Sequence, residues 1–252
     1  MSIAAAKRSS TQGRRIQRVG HKGAALLAPG NTLAAFDAAL QAGVDMIEFD
    51  VLSERRDGGG RLLVAHDYEA LRQAQEPLTL QAALAHLAQH EFAAVQLDLD
   101  VKLPGYASKV VEALREAGLA QRTLISATYR RELDLVKRQA PEIRVGWSVP
   151  RARRDYTAHS LTALPALVLL QGLRAWLPVA AVTALRAGRF DAVMAHWRLV
   201  SDALVSAVRR GGGELYAWTV DEAPLIDRLV EMGVDGIITN DPRLFADRAT
   251  AA

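Results

Sequence analysis

Two carboxylates stand two residues apart within an apolar stretch near the start of the chain. The segment GVDMIEFDV, residues 43–51, has the composition of a buried strand and contains Glu48 and Asp50. Side chains two residues apart on a strand point to the same face of the sheet. The two negative charges therefore repel each other and lose hydration, so the sequence predicts that something nearby compensates them.

A second polar row follows in the segment VQLDLDVK, in which apolar and polar residues alternate. The apolar residues share the face that helices would cover, so the polar residues are predicted to point the other way, into a barrel. These residues are Gln96, Asp98, Asp100 and Lys102. Where Asp100 meets the two earlier carboxylates, the three acids form a site that suits one hard divalent cation, Mg²⁺ or Ca²⁺.

Two histidines, His21 and His66, each follow a segment that is predicted to be a strand. Imidazole groups can supply a general base and a general acid near neutral pH. Three carboxylates, a divalent cation, Lys22 and Lys102 together give a formal charge of +1, which suits a monoanionic phosphodiester. These are the groups that metal-assisted hydrolysis of a phosphate diester requires.

Each of these residues also has a structural interpretation. A single histidine at the end of a strand is more often structural than catalytic, and the role of His196, which closes another predicted strand, stays open. A Glu-x-Asp pair can also belong to an inward salt-bridge network with arginine or lysine. The functional interpretation is favoured because the groups fall together on consecutive strand ends.

Strand-like and helix-like segments alternate along the chain and give eight β/α units in 252 residues. This number predicts an α/β protein with a (β/α)8 TIM barrel, and a doubly wound sheet is the second possibility. We expect a single barrel domain over residues 16–248, after a flexible, basic N-terminal lead at residues 1–15. Catalytic groups of such barrels lie at the C-terminal ends of the strands.

The composition restricts the classes of function. The chain has no cysteine, which excludes disulfides, thiolate catalysis and cysteine-ligated metals. A net charge of +3 is compatible with an anionic substrate, and no nucleic-acid-binding motif is found. The N-terminal segment lacks the apolar core of a signal peptide, and the longest uncharged run, residues 156–173, is a poor membrane span. A cytoplasmic protein is therefore expected.

Six segments occur in the order of the motifs of the glycerophosphodiester phosphodiesterase family, which the chain resembles from residue 17 to residue 245. They are HKGAALLAPGNTLAAF, GVDMIEFDV, LLVAHD, LDLDVK, YAWTVDE and GVDGIITNDP. The first three are similar to the family's His-Arg-Gly and Pro-Glu-Asn-Thr motifs, its Glu-x-Asp strand and its His-Asp pair. The order and spacing of all six make the resemblance specific.

The resemblance implies a TIM barrel that hydrolyses glycerophosphodiesters to an alcohol and glycerol 3-phosphate with one divalent cation, Mg²⁺ or Ca²⁺. The roles that it implies are an acid/base pair of His21 and His66, metal ligands at Glu48, Asp50 and Asp100, phosphate contacts from Lys22 and Lys102, and a pocket wall at Trp218. The expected partner is a small-molecule or lysolipid phosphodiester and not a nucleic acid. The oligomeric state is not predicted.

Four departures from the family's pattern bear on the substrate. Lys22 replaces the usual arginine, Gly30 the usual glutamate, and Asp100 the glutamate of many members. The subdomain that the family usually inserts after its His-Asp pair is nearly absent, because only YEALRQAQEP separates that pair from the next helix. In these respects the chain resembles the phospholipase D-type toxin barrels of spiders.

The nearly absent insertion leaves a second function open, phospholipase D-like cleavage of lysophospholipids or related lipids through a cyclic phosphate. It would involve transient contact with a membrane surface, and the segment RARRD before an apolar region, residues 151–190, fits it. An ordinary outer barrel helix is the favoured interpretation of that region. A non-catalytic barrel that binds phosphorylated ligands and a sugar-phosphate isomerase or aldolase barrel are ranked lower.

Overall fold

The computed structural model describes residues 15–150 and 160–248, and eight parallel strands in it form a closed barrel. The strands are β1 (Gln17–Gly20), β2 (Met46–Ser53), β3 (Leu62–Val64), β4 (Gln96–Val101), β5 (Thr123–Ala127), β6 (Arg144–Val149), β7 (Ala192–His196), β8 (Glu214–Trp218) and β9 (Gly236–Thr239). Hydrogen bonds join them in the order β1-β9-β8-β7-β6-β5-β4-β2-β3, and β1 also pairs with β2. The predicted (β/α)8 TIM barrel is therefore confirmed, since a doubly wound sheet would be open.

Helices connect the strands on the outside of the barrel. Within the described ranges they are α1 (Leu33–Gln41), α2 (Tyr68–Gln73), α3 (Leu80–Leu87), α4 (Ala107–Glu116), α5 (Arg130–Gln139), α6 (Ser160–Arg186), α7 (Asp202–Gly211) and α8 (Ala223–Met232). The sequence contains their start and stop signals. Thr32 caps α1 by accepting the Ala35 N–H, and Gly212 ends α7 at φ +77°, where glycine carries no Cβ penalty.

Two sequence expectations concern parts of the chain outside the described residues. Only Arg15 of the N-terminal lead predicted at residues 1–15 is described, and the segment RARRD lies between the two described ranges. Within the apolar region that follows this segment, Ser160–Arg186 form α6. Among the described residues, no helix combines the length and the apolar character that crossing a bilayer would require.

The inside of the barrel changes from apolar to polar toward the C-terminal ends of the strands. An apolar cluster fills the interior, and its members are Val19, Met46, Leu124, Ala192, Met194, Tyr216 and Ile238. Inward positions recur every second residue, so the next inward side chains are polar. His21 follows Val19 in this way, and Glu48 follows Met46. The strands therefore place polar side chains together at one end of the barrel, whose interior is otherwise filled by this apolar cluster.

The connection after β2 is short and keeps its own polar group near that end. β3 pairs antiparallel with β2, and together with the six-residue helix α2 it occupies the place where the family usually carries a subdomain. The Ala65 N–H donates to the Asp50 carbonyl at 3.1 Å, which brings the next residue, His66, to the C-terminal end of β2. The predicted near-absence of the insertion is thus confirmed.

A buried tyrosine joins the end of β4 to the end of β2. The Tyr106 hydroxyl donates to the Val51 carbonyl at 2.8 Å and accepts the Leu103 N–H at 3.0 Å. Because Leu103 directly follows Lys102, this pair of hydrogen bonds fixes the lysine beside the carboxylates of β2.

Candidate active site

Three carboxylates meet at the C-terminal mouth of the barrel. Glu48, Asp50 and Asp100 each contribute an oxygen, and these oxygens lie within 4.8 Å of one another. Asp50 in β2 and Asp100 in β4 are in register on neighbouring strands, and Glu48 lies two residues before Asp50 on the same face. The Asp50 Oδ1 atom is buried and accepts no aligned hydrogen bond from the described residues. An all-oxygen donor set with a buried free lone pair fits a hard divalent cation.

Cations and an amide surround Asp50, which is fully buried. Lys102 Nζ lies 3.0 Å from Asp50 Oδ1 and 2.8 Å from Asp100 Oδ2, and Lys22 Nζ lies 3.9 Å from Asp50 Oδ2. Asn31 donates Nδ2–H to Asp50 Oδ2 at 2.8 Å and accepts the Asp50 N–H at 3.1 Å. Burial acts to raise the pKa of Asp50, but the charges of Lys102 and Lys22 outweigh it and lower that pKa. Asp50 is therefore the carboxylate that stays ionised.

Glu48 has much weaker compensation than Asp50. It accepts the Lys22 backbone N–H at 2.8 Å, but burial, followed by the nearby charge of Asp50, raises the pKa of Glu48 well above its usual value. Burial raises the pKa of Asp100 as well, although Lys102 opposes this effect. The cluster thus holds more negative charge than its lysines neutralise, which is the condition under which a divalent cation stabilises such a group.

Two residues, Asp221 after β8 and Asn240 after β9, hold His21 in one tautomer. Asn240 donates Nδ2–H to Asp221 at 2.7 Å, so its Oδ1 is directed to His21 Nδ1, 2.6 Å away. An amide oxygen can only accept, so Nδ1 of His21 carries the proton. The other ring nitrogen, Nε2, then holds a lone pair and lies 3.8 Å from Glu48. Burial lowers the pKa of His21 to about 4, so the ring is neutral at neutral pH.

His66 lies at the same mouth in a more open position. Its side chain is 49% exposed, and its Nδ1 lies 3.0 Å from Asp67 Oδ2. The other oxygen of Asp67 accepts the N–H groups of Glu69 and Ala70 and caps α2. The carboxylate is therefore fixed by the helix, and it in turn orients the imidazole.

Aromatic residues form the side of the mouth across from the histidines. Trp218, at the end of β8, donates Nε1–H to the Met194 carbonyl at 2.8 Å. The ring of His196, at the end of β7, meets the Trp218 ring edge-on at 5.2 Å and lies nearly parallel to the Trp197 ring at 5.7 Å. His196 also accepts the Arg198 N–H through Nδ1 at 3.2 Å. These contacts indicate that His196 supports the aromatic side of the mouth.

One buried acid lies below the carboxylate cluster. Asp98 is in register with Glu48, and its Oδ1 has no hydrogen-bond partner among the described residues. Burial raises the pKa of Asp98 to about 8, against which a hydrogen bond from Ser126 acts. Asp98 is therefore largely protonated at neutral pH and adds little to the negative charge of the mouth.

The structure brings together the eight residues singled out from the sequence at one end of the barrel, although their individual roles remain predictions. Sequence reasoning did not assign Asn31, Asp67, Asp221 or Asn240 to the site. A left-handed turn at Asn31 could have been predicted, because asparagine tolerates this backbone conformation better than most residues. In the structure its φ is +63°. The other three lie within the quoted motifs. The described contacts of Asp67 are with its sequence neighbours, whereas those of Asp221 and Asn240 join chain segments that meet only in the fold.

The comparisons with known proteins agree with this geometry. The model of the Glycerophosphoryl diester phosphodiesterase family matches residues 21–76 and 75–244, most of the chain. The chain belongs to the glycerophosphoryl diester phosphodiesterase family. The predicted resemblance is therefore confirmed, as is the prediction of an enzyme that is a phosphoric diester hydrolase.

Similar members of this family are known from sequence and from structure. A glycerophosphodiester phosphodiesterase of Caldanaerobacter subterraneus is 25% identical over 257 residues, which are 89% of this chain and 93% of the relative. A glycerophosphodiester phosphodiesterase structure from Parabacteroides distasonis has a TM-score of 0.72 at 18% identity, covering 93% of this chain and 96% of that one. A phosphodiesterase structure from Oleispira antarctica, solved with the product sn-glycerol-3-phosphate, has a TM-score of 0.66 at 20% identity, with coverage of 94% and 97%. The structural likenesses show a shared fold.

For this glycerophosphoryl diester phosphodiesterase family member, the substitution Asp50→Asn tests the carboxylate cluster as a metal site. It removes the acid that stays ionised while keeping the size of the side chain, so we expect Mg²⁺ and Ca²⁺ affinity to fall by about 10-fold or more. The measurement is calorimetric titration of chelator-treated protein, with circular dichroism to verify the fold. Asp98→Asn is the matched control and should bind the cation like the wild type. Undiminished cation binding by Asp50→Asn would show that the ligand set is wrong.

The protonated state of Asp98 gives a dependence of stability on pH. The raised pKa means that folding takes up a proton between pH 3.8, the ordinary pKa of the side chain, and about 8, so this contribution to stability is lost as the pH rises. Asparagine does not titrate. We expect the stability of Asp98→Asn relative to wild type to increase with pH by up to about 1.4 kcal/mol per unit in this window. Urea denaturation of metal-free protein between pH 5 and 8 measures it, and parallel profiles would show that Asp98 is ionised when folded.

Proposed function

We propose that this protein hydrolyses glycerophosphodiesters to an alcohol and glycerol 3-phosphate by acid/base catalysis with His21 and His66. The observation that carries the proposal is the placement of both rings beside one carboxylate cluster, each with Nδ1 bound by its own partner. The name of the relative from Caldanaerobacter subterraneus and the product complex of the Oleispira antarctica protein support the substrate class.

The phosphate is bound by cationic groups at the mouth. Glu48, Asp50 and Asp100 would hold one divalent cation, Mg²⁺ or Ca²⁺, which when bound neutralises charge on a non-bridging phosphate oxygen. Lys22 and Lys102 supply ammonium groups beside the same cluster, at 3.9 Å and 3.0 Å from Asp50. Lys22 is the more weakly held of the two and is 24% exposed, so it is free to contact the substrate phosphate.

We assign the role of general base to His21. Its Nδ1 proton is engaged by Asn240, its Nε2 carries the lone pair, and burial keeps the ring neutral by lowering its pKa to about 4. Nε2 takes the proton of the attacking hydroxyl group as the oxygen forms its bond to phosphorus. The Asp221–Asn240 pair holds the tautomer that this step requires.

We assign the role of general acid to His66. Asp67 binds Nδ1 and orients the ring, and in the proposed reaction Nε2–H protonates the oxygen of the departing alcohol as the P–O bond breaks. The proton taken up by His21 and the proton lost by His66 balance, so one exchange through solvent returns both histidines to their starting states.

The attacking hydroxyl has two possible sources. The second of them gives a second candidate function. Water gives glycerol 3-phosphate directly, whereas a substrate hydroxyl beside the ester gives a cyclic phosphate with the advantage of intramolecular attack. Leu26, in the loop after His21, is 62% exposed, and only β3 and α2 lie between β2 and α3. An exposed apolar loop beside a short connection after β2 suits lysophospholipids in transient contact with a membrane surface.

Phosphorus NMR of the reaction products tests the proposal and separates the two candidates. We expect glycerophosphocholine to give glycerol 3-phosphate with added Mg²⁺ or Ca²⁺, and no product after chelation by EDTA. A cyclic phosphate from lysophosphatidylcholine, without turnover of glycerophosphocholine, would replace the first function with the second. Absence of product from both substrate classes would contradict the proposed function.

Substitution of each histidine tests its role in proton transfer. We expect His21→Ala and His66→Ala each to lower turnover by about 10²-fold or more, the effect of losing a general acid or base. The double variant should be little worse than the worse single one, because the two residues act in one step. Metal titration by calorimetry is the control and should match the wild type in both single variants. A histidine whose loss abolishes metal binding with the fold intact would be a ligand.

The substitution Asp221→Asn tests the tautomer of His21 without touching the histidine. In the wild type, Asp221 Oδ2 accepts a hydrogen bond from Asn240 Nδ2. In the variant an NH₂ group takes the place of that oxygen and cannot accept. We therefore expect the Asn240 amide to rotate and present its own NH₂ group to His21 Nδ1. The proton of His21 then moves to Nε2, and turnover falls by about 10-fold or more. Nitrogen-15 NMR of the imidazole reports the tautomer directly. Asp241→Asn, which removes an acid paired with Arg243, is the control. A lower rate with an unchanged tautomer would contradict this role.

A further inference from the structure

A groove of about 250 Å³ opens at the C-terminal ends of β5 and β6, and β5 is the neighbour of β4, which carries Asp100. Thr128 and Ser148 line it on the barrel side, and Trp147 and Trp176 line it toward α6. The strand register places the groove beside the phosphate site, because Val101, the residue before Lys102, pairs with Ala127, the residue before Thr128. The groove therefore begins at the next strand end around the mouth.

Among the described residues that line this groove, Arg130 is the charged one. Its guanidinium carbon lies 3.8 Å from the centre of the Trp147 ring and 5.7 Å from that of Trp176. The nearby acid Asp134 bonds instead to Arg189, at 3.1 Å and 2.5 Å. The two indole rings thus fix the plane of the Arg130 guanidinium without neutralising its charge.

One donor group of this arginine lacks an acceptor within the described part of the chain. Arg130 Nη2 is buried, and no hydrogen-bond partner for it occurs among the described residues. A buried donor on a charged group is costly when it is unpaired, so such groups normally have a protein, water or ion partner. A guanidinium stacked on aromatic rings is also well suited to bind a carboxylate or phosphate through two parallel hydrogen bonds.

The net charge of the mouth also favours a carboxylate or phosphate as the ligand of Arg130. With a divalent cation, the three carboxylates, Lys22 and Lys102 leave a formal charge of +1, which one phosphodiester neutralises. Arg130 adds a further positive charge that this count does not include. A substrate with one more negative charge would neutralise it.

We propose that Arg130 and the groove form a second anion subsite, which binds a carboxylate or phosphate carried by the headgroup of the diester. This inference rests on the proposed hydrolysis of glycerophosphodiesters and names the substrate class that the site prefers, diesters with an anionic headgroup. Arg130 is a specificity-determining residue, because it contacts the headgroup and takes no part in proton transfer.

Two substrates that differ by one carboxylate give the sharpest test. Glycerophosphoserine carries a carboxylate that glycerophosphoethanolamine lacks, and we measure the ratio of their kcat/KM values in the metal-loaded enzyme. We expect wild type to favour glycerophosphoserine and Arg130→Gln to lower the ratio by about 10-fold or more, the size of a lost charge-assisted hydrogen bond. A change in overall stability or activity cancels in this ratio, because both substrates meet the same enzyme.

The neighbouring exposed arginine provides the matched control. Arg131→Gln removes the same charge one residue away, and we expect the ratio to change by less than about 2-fold, since a screened charge in solvent has little effect. Arg130→Lys keeps the charge but loses the planar fork and should give an intermediate ratio. An unchanged ratio in Arg130→Gln, or an equal change in Arg131→Gln, overturns the proposal.

A binding measurement separates this proposal from the proposed reaction. The Mg²⁺-loaded His21→Ala protein is titrated with each of the two diesters by calorimetry, with and without Arg130→Gln. Tighter binding of glycerophosphoserine that depends on Arg130 supports the subsite even where no diester is hydrolysed, and equal binding of the two overturns it. Bis(glycerophospho)glycerol, with a second phosphodiester in place of the carboxylate, shows whether phosphate or carboxylate is the better ligand.

Discussion

The ionised side chain of Asp50, fully buried at the mouth of the barrel, is the constraint to which the rest of the site responds. A buried carboxylate is stable only with opposite charge and hydrogen bonds around it. Lys22 and Asn31 provide these from the loop after β1, and Lys102 provides them from the end of β4. Because Asp50 keeps its charge, ionisation of Glu48 and Asp100 beside it requires further positive charge, which a cation at the same place would supply.

The two histidines differ because the carboxyl and amide groups behind them differ. His21 faces a neutral amide, Asn240, whose orientation is fixed by Asp221, and it is held as a neutral ring with a free Nε2. His66 faces a carboxylate, Asp67, in a half-exposed position. The proposed division into a base and an acid rests on this difference in partner and in burial between two residues of the same type.

The mouth has a catalytic side and an aromatic side. The carboxylates, lysines, His21 and His66 lie in or after β1 to β4, whereas the four tryptophans lie in β6 and β8, directly after β7, and in α6. In the proposed reaction the first side acts on the phosphorus centre that all diesters share. The proposed subsite, with Arg130 stacked on Trp147, belongs to the aromatic side, which would separate substrate choice in space from the reaction.

The sequence alone determined the barrel and the main residues of its mouth, because both follow from short-range patterns. Alternating β and α segments specify the fold, and the period of two along a strand places Glu48 with Asp50 and Asp98 with Asp100 on one face. The motif order then identified the family, which the family match confirmed.

Tertiary structure alone decided how these groups are tuned. His21 and Asn240 are 219 residues apart in the chain and meet only because β1 pairs with β9 to close the barrel. The burial of Arg130 Nη2, which has no partner in residues 15–150 and 160–248, depends on the packing of α6 against the end of β6. Charge states, tautomers and unpaired donors are set by burial and by contacts between distant segments, and no local pattern in the sequence contains either.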